Sequence, residues 1–176
     1  MQRFSLHDAP AAGFDAPFEM LEACHERVRR SLSVLQRLAE HVRAKGADDQ
    51  AASAARDVLR YFDLAAPQHH EDEERHVFPR LLAGDDAEVI RAVERLQADH
   101  VQMAQRWLPV RTRLQGWAGG EGGLGEGDAR AIEDFVSIYG EHLRLEEQFV
   151  YPAARRGVGA AELAAMGQEM GARRRG

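Results

Sequence analysis

Cysteine is nearly missing from these 176 residues: Cys24 stands alone. An intramolecular disulfide is therefore excluded, and a reducing compartment, the cytoplasm, is expected. Proline is scarce, at six residues, so long helices can run with few interruptions. No stretch approaches the roughly 20 consecutive apolar residues that a membrane span needs. The opening "MQRFSLHDAPAAGFDAP" lacks the apolar centre of a signal peptide. Positive charge is not in excess either, with 23 Lys and Arg against 29 Asp and Glu and a net charge of −6. That balance argues against nucleic-acid binding, which runs on clustered positive charge. Arg173, Arg174 and Arg175 form a small basic end that reads as solvated. The strict alternation that marks strands is also absent.

What is present is helical periodicity. Leu21, His25, Val28, Leu32, Leu35 and Leu38 recur at steps of three and four, one buried stripe of a helix. It opens near Pro17, with Asp15 close to a capping position. A second helix is expected over about 51–82 and a third, after the turn Gly84-Asp85-Asp86, carrying Val89, Val93, Leu96, His100, Met103, Trp107 and Leu114. The glycine-rich "GWAGGEGGLGEGD" reads as a flexible loop. A fourth helix follows over about 128–155, and a short one around 160–170. These elements make one domain over 1–176: a core at about 15–155, an N-terminal extension over 1–14, and a C-terminal short helix and tail over 156–176.

The second and fourth helices repeat each other. "HHEDEERHVFP" begins at His69 and "HLRLEEQFVYP" at His142. Laid together, His69 matches His142, Glu73 matches Glu146, Glu74 matches Glu147 and Pro79 matches Pro152. Phe62 and Phe135 also fall in register, and a core histidine, His25 or His100, precedes each copy at nearly equal distance. The chain is thus a helical hairpin written twice. It predicts an all-α, up-down-up-down four-helix bundle with a pseudo-two-fold repeat and a central di-metal site.

Residues four apart on a helix share a side, so His69 with Glu73, and His142 with Glu146, can reach one interior point. His25 and His100 add an imidazole each from the other two helices. Four histidines and two glutamates exceed what one ion uses; two ions bridged by both carboxylates use them all and leave open positions. Imidazole with carboxylate suits iron, with manganese and zinc as alternatives, and a bridging oxide or hydroxide is expected. Glu74 and Glu147 lie one residue off the ligand face and suit capping pairs or hydrogen bonds to ligand imidazoles. His70 is unrepeated and reads as a boundary or supporting group. His76 lies one turn beyond Glu73 and reads as core packing, and Tyr139, three before His142, as packing or as lining for a path to the metals. Pro67, two before His69, should kink the second helix or be absorbed by a local irregularity.

These motifs resemble the hemerythrin-like (HHE cation-binding) domain family, from about Asp15 to Arg155. The resemblance implies a bundle around a non-haem di-iron centre held by His25, His69, Glu73, His100, His142 and Glu146. Oxygen-carrying hemerythrins use a fifth histidine where this chain has Ala104. They also place an aspartate where Glu147 stands, whereas this chain also has Glu146 at the symmetric position. The set is more similar to the four-histidine, two-glutamate version of bacterial iron-centre repair proteins. Those carry a separate cysteine-bearing N-terminal domain, and about 15 residues precede the first helix here.

The leading expectation is a di-iron protein binding dioxygen, peroxide or nitric oxide for sensing, storage or scavenging. Two alternatives stand beside it: an enzyme at the same site, turning over peroxide or nitric oxide or repairing iron centres, and a non-redox metal module. No motif names a protein partner.

Overall fold

The computed structural model describes residues 13–175, so most of the expected N-terminal extension lies outside the described residues. Five helices follow in order: α1 (Pro17–Lys45), α2 (49–82), α3 (Ala87–Ala118), α4 (126–155) and α5 (Ala160–Arg173). There are no strands among the described residues. The first four run up-down-up-down, joined by short connections. Gly46 ends α1 at φ 80°, in the left-handed region that glycine enters without a Cβ penalty. Asp48 then caps α2 by accepting from Ala51 N, and Asp86 caps α3 by accepting from Glu88 N and Val89 N. The expected cap of α1 differs: Ala16 occupies that position, no side chain caps the helix, and Pro17 in the first turn reduces the number of free N–H groups.

α2 and α4 are continuous but locally wide. Turns with the i→i+5 hydrogen bond occur at Tyr61–Ala65, Glu73–Val77 and Glu146–Val150. Each ends two residues before a proline, respectively Pro67, Pro79 and Pro152. Proline lacks an N–H and its ring collides with the carbonyl four residues back; widening the preceding turn removes that collision without breaking the helix. This is the irregularity that Pro67 demands. The last two wide turns start at Glu73 and Glu146, the glutamates of the repeated motif.

Every helix of the bundle crosses three layers. At one end Val28, Leu35, Val58, Phe62, Trp107 and Phe135 belong to one apolar cluster. At the other, Leu21, Val77, Phe78, Leu96, Val150 and Tyr151 belong to a second. Between them lies a polar layer of His25, His69, Glu73, His100, His142 and Glu146, none more than 8% exposed.

α5 closes one end of the bundle. Met166 and Met170 join the second cluster, and Gly167 lies so close to Phe14 that a Cβ would stand 1.7 Å from its carbonyl oxygen. Of the basic end only Arg175 is exposed as its composition suggests; Arg173 and Arg174 are not solvated. Arg173 donates to Asp72 at 2.6 Å, and Arg174 donates to both oxygens of the same carboxylate. Asp72 is fully buried and so requires these cations. No helix among the described residues is long and apolar enough to cross a membrane.

Candidate metal centre

The heptad-like steps that bury leucines also bury the six polar residues. His25 follows Leu21 by four and precedes Val28 by three; His100 sits likewise between Leu96 and Met103. An ionised carboxylate in such a layer is costly unless it is paired, and two lie here, Glu73 and Glu146, both at 0% exposure.

The side chains converge on two points. Glu73 spans one pair of histidines, with Oε1 3.6 Å from His69 Nε2 and Oε2 3.4 Å from His100 Nε2. Glu146 spans the other pair, with Oε1 3.0 Å from His142 Nε2 and Oε2 3.2 Å from His25 Nε2. Donor atoms of His25, His69, Glu73 and Glu146 lie within 4.8 Å of one another, and so do those of His100, His142 and Glu146. Ligands about 2.1 Å from a metal ion stand about 3 to 4 Å apart, close to these spacings.

The unsatisfied atoms mark the same two points. Both nitrogens of His69, Oε2 of Glu73, Nε2 of His100 and both oxygens of Glu146 are buried without a hydrogen-bond partner. Their neighbours are near enough to interact but are not aligned as N–H···O pairs. A cation between them satisfies all of these atoms except His69 Nδ1, on the far side of its ring. The residues therefore fit a cation at each of these two points, one lined by His25, His69, Glu73 and Glu146 and the other by His100, His142 and Glu146.

The far side of three imidazoles is held by a carboxylate. His25 Nδ1 meets Glu147 at 2.9 Å, His100 Nδ1 meets Glu74 at 3.0 Å, and His142 Nδ1 meets Asp99 at 3.3 Å. With Nδ1–H donating outward, each Nε2 lone pair points at the centre, as ligation requires. Glu147 is steadied in turn by Arg29 at 2.8 Å, and Glu74 by Gln97 at 2.7 Å. The hydrogen bond from His25 lowers the Glu147 carboxyl to about 2, although burial opposes it.

Without metal, protons substitute for cations. Burial alone would depress His25 and His100, yet their glutamate contacts hold both at about 9. Burial likewise opposes the Glu146 charge at His142, which ends at about 10. Glu146 is depressed despite burial because His142 and His25 face it. His69 goes the other way: desolvation outweighs Glu73 and pushes it well below 6.5.

The family model described as hemerythrin HHE cation binding domain matches residues 16–154. The chain belongs to this family. A protein of Haemophilus influenzae, described as uncharacterized, is 30% identical over 163 residues, 93% of this chain and 92% of that protein. This hemerythrin-like chain thus has an HHE cation-binding domain whose His and Glu clusters fit a metal site.

Of the supporting residues read from sequence, Glu74 and Glu147 hold ligand-face imidazoles. His70 makes no hydrogen bond to the described residues; its ring stacks on His100 at 4.0 Å, and burial depresses it to about 3. His76 is not in the centre: the wide turn at Glu73–Val77 takes it off the ligand face, and its Nε2 pairs with Glu169 of α5 at 2.6 Å. Tyr139 packs edge-on against Phe135 and lines a cleft between α2, α3 and α4.

Two residues of the site carry no signal in the repeat itself. Asp99 belongs to no motif, and standing one place before a core histidine is its one clue. Tyr151 enters the sequence pattern only within the repeated ending "FVYP", yet its hydroxyl lies 3.0 Å from His25 Nε2 and donates to Glu73 Oε1. Its ring stacks on His25 at 5.3 Å, as its repeat partner Phe78 stacks on His100 at 5.6 Å.

Proposed function

We propose that this hemerythrin-like protein holds two iron ions and uses them to bind dioxygen or a related small oxidant, peroxide or nitric oxide, in the cytoplasm. One observation carries the reading: two carboxylates at 0% exposure each lie between histidines of different helices, with orphaned atoms facing two common points. Burial of that many unpaired polar atoms is costly, and cations at the two points would remove the cost. Two irons held by these residues, with an oxide or hydroxide between them, would supply redox chemistry and open positions for a small ligand.

The chain's own residues do the rest. Four imidazoles present Nε2 inward, three of them fixed from behind by Glu147, Glu74 and Asp99. Glu73 and Glu146 neutralise charge between the two positions. The apolar layers on either side exclude bulk water from the polar layer, which strengthens each electrostatic contact within it. The buried Cys24 needs no disulfide partner and suits a reducing compartment.

The test is metal content together with the visible spectrum of purified protein, through anaerobic reduction and re-exposure to air. About two irons per chain, with absorption that bleaches and returns, is expected; His69→Ala and Glu146→Ala should each abolish it. Zinc alone, no metal, or unchanged spectra in both variants would sink the assignment.

A further inference from the structure

Beside the polar layer, α2, α3 and α4 do not close completely. Ala66 and Pro67 on α2, Ala104 and Leu108 on α3, and Phe135 and Tyr139 on α4 bound a cleft of about 340 Å³. Small side chains create it, since Ala66 and Ala104 offer only a methyl each where their neighbours carry rings. An apolar cavity of about 150 Å³ already holds benzene. This one is more than twice that size, within the usual range of small-molecule pockets.

The polar groups around the cleft divide into two sets. At the mouth, Asp63 accepts from Arg111 at 3.0 Å and from Trp107 Nε1 at 2.8 Å, so the two charges there satisfy one another. Leu108, 62% exposed, and Leu64, 61% exposed and next in sequence to Asp63, add apolar surface beside them. Pro67 contributes no N–H to its wall. At the inner end stand His70 and Tyr139, neither of which hydrogen-bonds to the described residues through its side chain. The His70 ring is stacked on His100 at 4.0 Å and lies 6.4 Å from His142. A molecule reaching His70 therefore stands beside the His100/His142 half of the polar layer.

We propose that this cleft binds a neutral organic molecule of one or two rings, with a hydroxyl-type head hydrogen-bonded to His70 and Tyr139 at the edge of the metal centre. The body is apolar because the lining is, and the head is uncharged because no free counter-charge stands at the inner end. A protein segment is a poorer fit, since the cleft carries no open row of backbone groups and its mouth is crossed by the Asp63–Arg111 pair. The cleft itself stands independently of the metal reading; only the placement of the head beside the ions rests on it.

Benzyl alcohol is the probe, with toluene and benzoate as controls, measured by ligand-observed NMR on metal-free protein. Benzyl alcohol should bind about threefold to tenfold more tightly than toluene, the worth of one net hydrogen bond, and benzoate should not compete. Ala104 is exposed, so Ala104→Phe fills the cleft without invading the core and should weaken both neutral probes at least tenfold. Tyr139→Phe should weaken benzyl alcohol but not toluene. In cobalt-loaded protein, benzyl alcohol should shift the visible bands, and Ala104→Phe should remove the shift. No binding, or binding indifferent to Ala104→Phe, overturns the cleft. Binding that is lost in Ala104→Phe but leaves the cobalt bands unmoved overturns the placement of the head at the metals. Failure to take up metal at all strikes the proposed function and leaves the metal-free measurements to decide the cleft.

Discussion

Tyr151→Phe tests whether protons and metal ions compete for the same atoms. The hydroxyl is fully buried, 3.0 Å from His25 Nε2, and donates to Glu73 Oε1. A hydrogen bond to a charged group contributes about 1.5–3 kcal/mol, and removing it from metal-free protein leaves Glu73 Oε1 without that donor in a buried site. For a chain of this size about 1 kcal/mol moves Tm by roughly 2–4 °C, so metal-free Y151F should melt roughly 3–12 °C below the parent. Metal-loaded protein should respond differently, because Nε2 of His25 and Oε1 of Glu73 are then engaged by the ion, not by the hydroxyl. The same substitution should lower its Tm by less than half as much. By linkage, Y151F should bind metal more tightly, by about a factor of ten for each 1.4 kcal/mol of the difference. The assay is thermal unfolding of parent and variant, each metal-free and zinc-loaded, with metal content checked. Equal destabilisation in both forms would show that the hydroxyl keeps its partners when metal binds, and would refute the competition.

Replacing Glu147 or Glu74 by Gln removes the carboxylate behind His25 or His100 and should weaken metal binding about 10- to 100-fold, read by competition against a chelating dye; a change under twofold in both would contradict their orienting role. For pH, His25 and His100 at about 9 and His142 at about 10 are raised above 6.5 in the metal-free fold. Raised groups stabilise fully below 6.5 and lose that contribution as pH climbs through 9 to 10. His69 is depressed and opposes them only below 6.5. Metal-free Tm should therefore fall between pH 7 and 10 while metal affinity rises, and a flat alkaline limb would refute the sign. Gly167→Ala puts a methyl onto the Phe14 carbonyl; it should release α5, seen as faster hydrogen exchange there with the bundle's protection retained.

The centre was legible because it is written twice. One His-x-x-x-Glu on a helix says little, but His69/Glu73 and His142/Glu146 in register, each behind a core histidine, fix four helices around one point. The turn Gly84-Asp85-Asp86 was legible as the start of α3, where Asp86 caps the helix, whereas Asp15 does not cap α1 and Ala16 stands there instead. Three features were not legible. The wide turns depend on how a helix resolves a proline clash, which the proline flags but does not decide; one of them takes His76 off the ligand face. Asp72 looked like one more acid in a charged run, and only the return of α5 shows that Arg173 and Arg174 bury it. The cleft arises from two alanines on different helices, and their adjacency is a property of packing alone.

The repeat also shows where the halves have diverged, and the divergences gather at the His25/His69 position. Tyr151 and Phe78 are repeat partners, each stacked on the lone histidine of the opposite half, but only Tyr151 carries a hydroxyl into the polar layer. Asp99 stands before His100 and serves His142 Nδ1; in the other half Cys24 stands before His25, and His69 Nδ1 is buried with no partner. One position thus faces imidazoles both anchored by carboxylates, while the other combines an unanchored imidazole with a neighbouring phenol. Anchoring raises ligand basicity and fixes ring orientation, so two ions bound at these points would differ electronically. The cleft reaches the anchored His100/His142 half through His70, and the phenol stands against the other. A pseudo-symmetric bundle in this way sets a cleft against one side of its polar layer and a hydrogen-bond donor against the other.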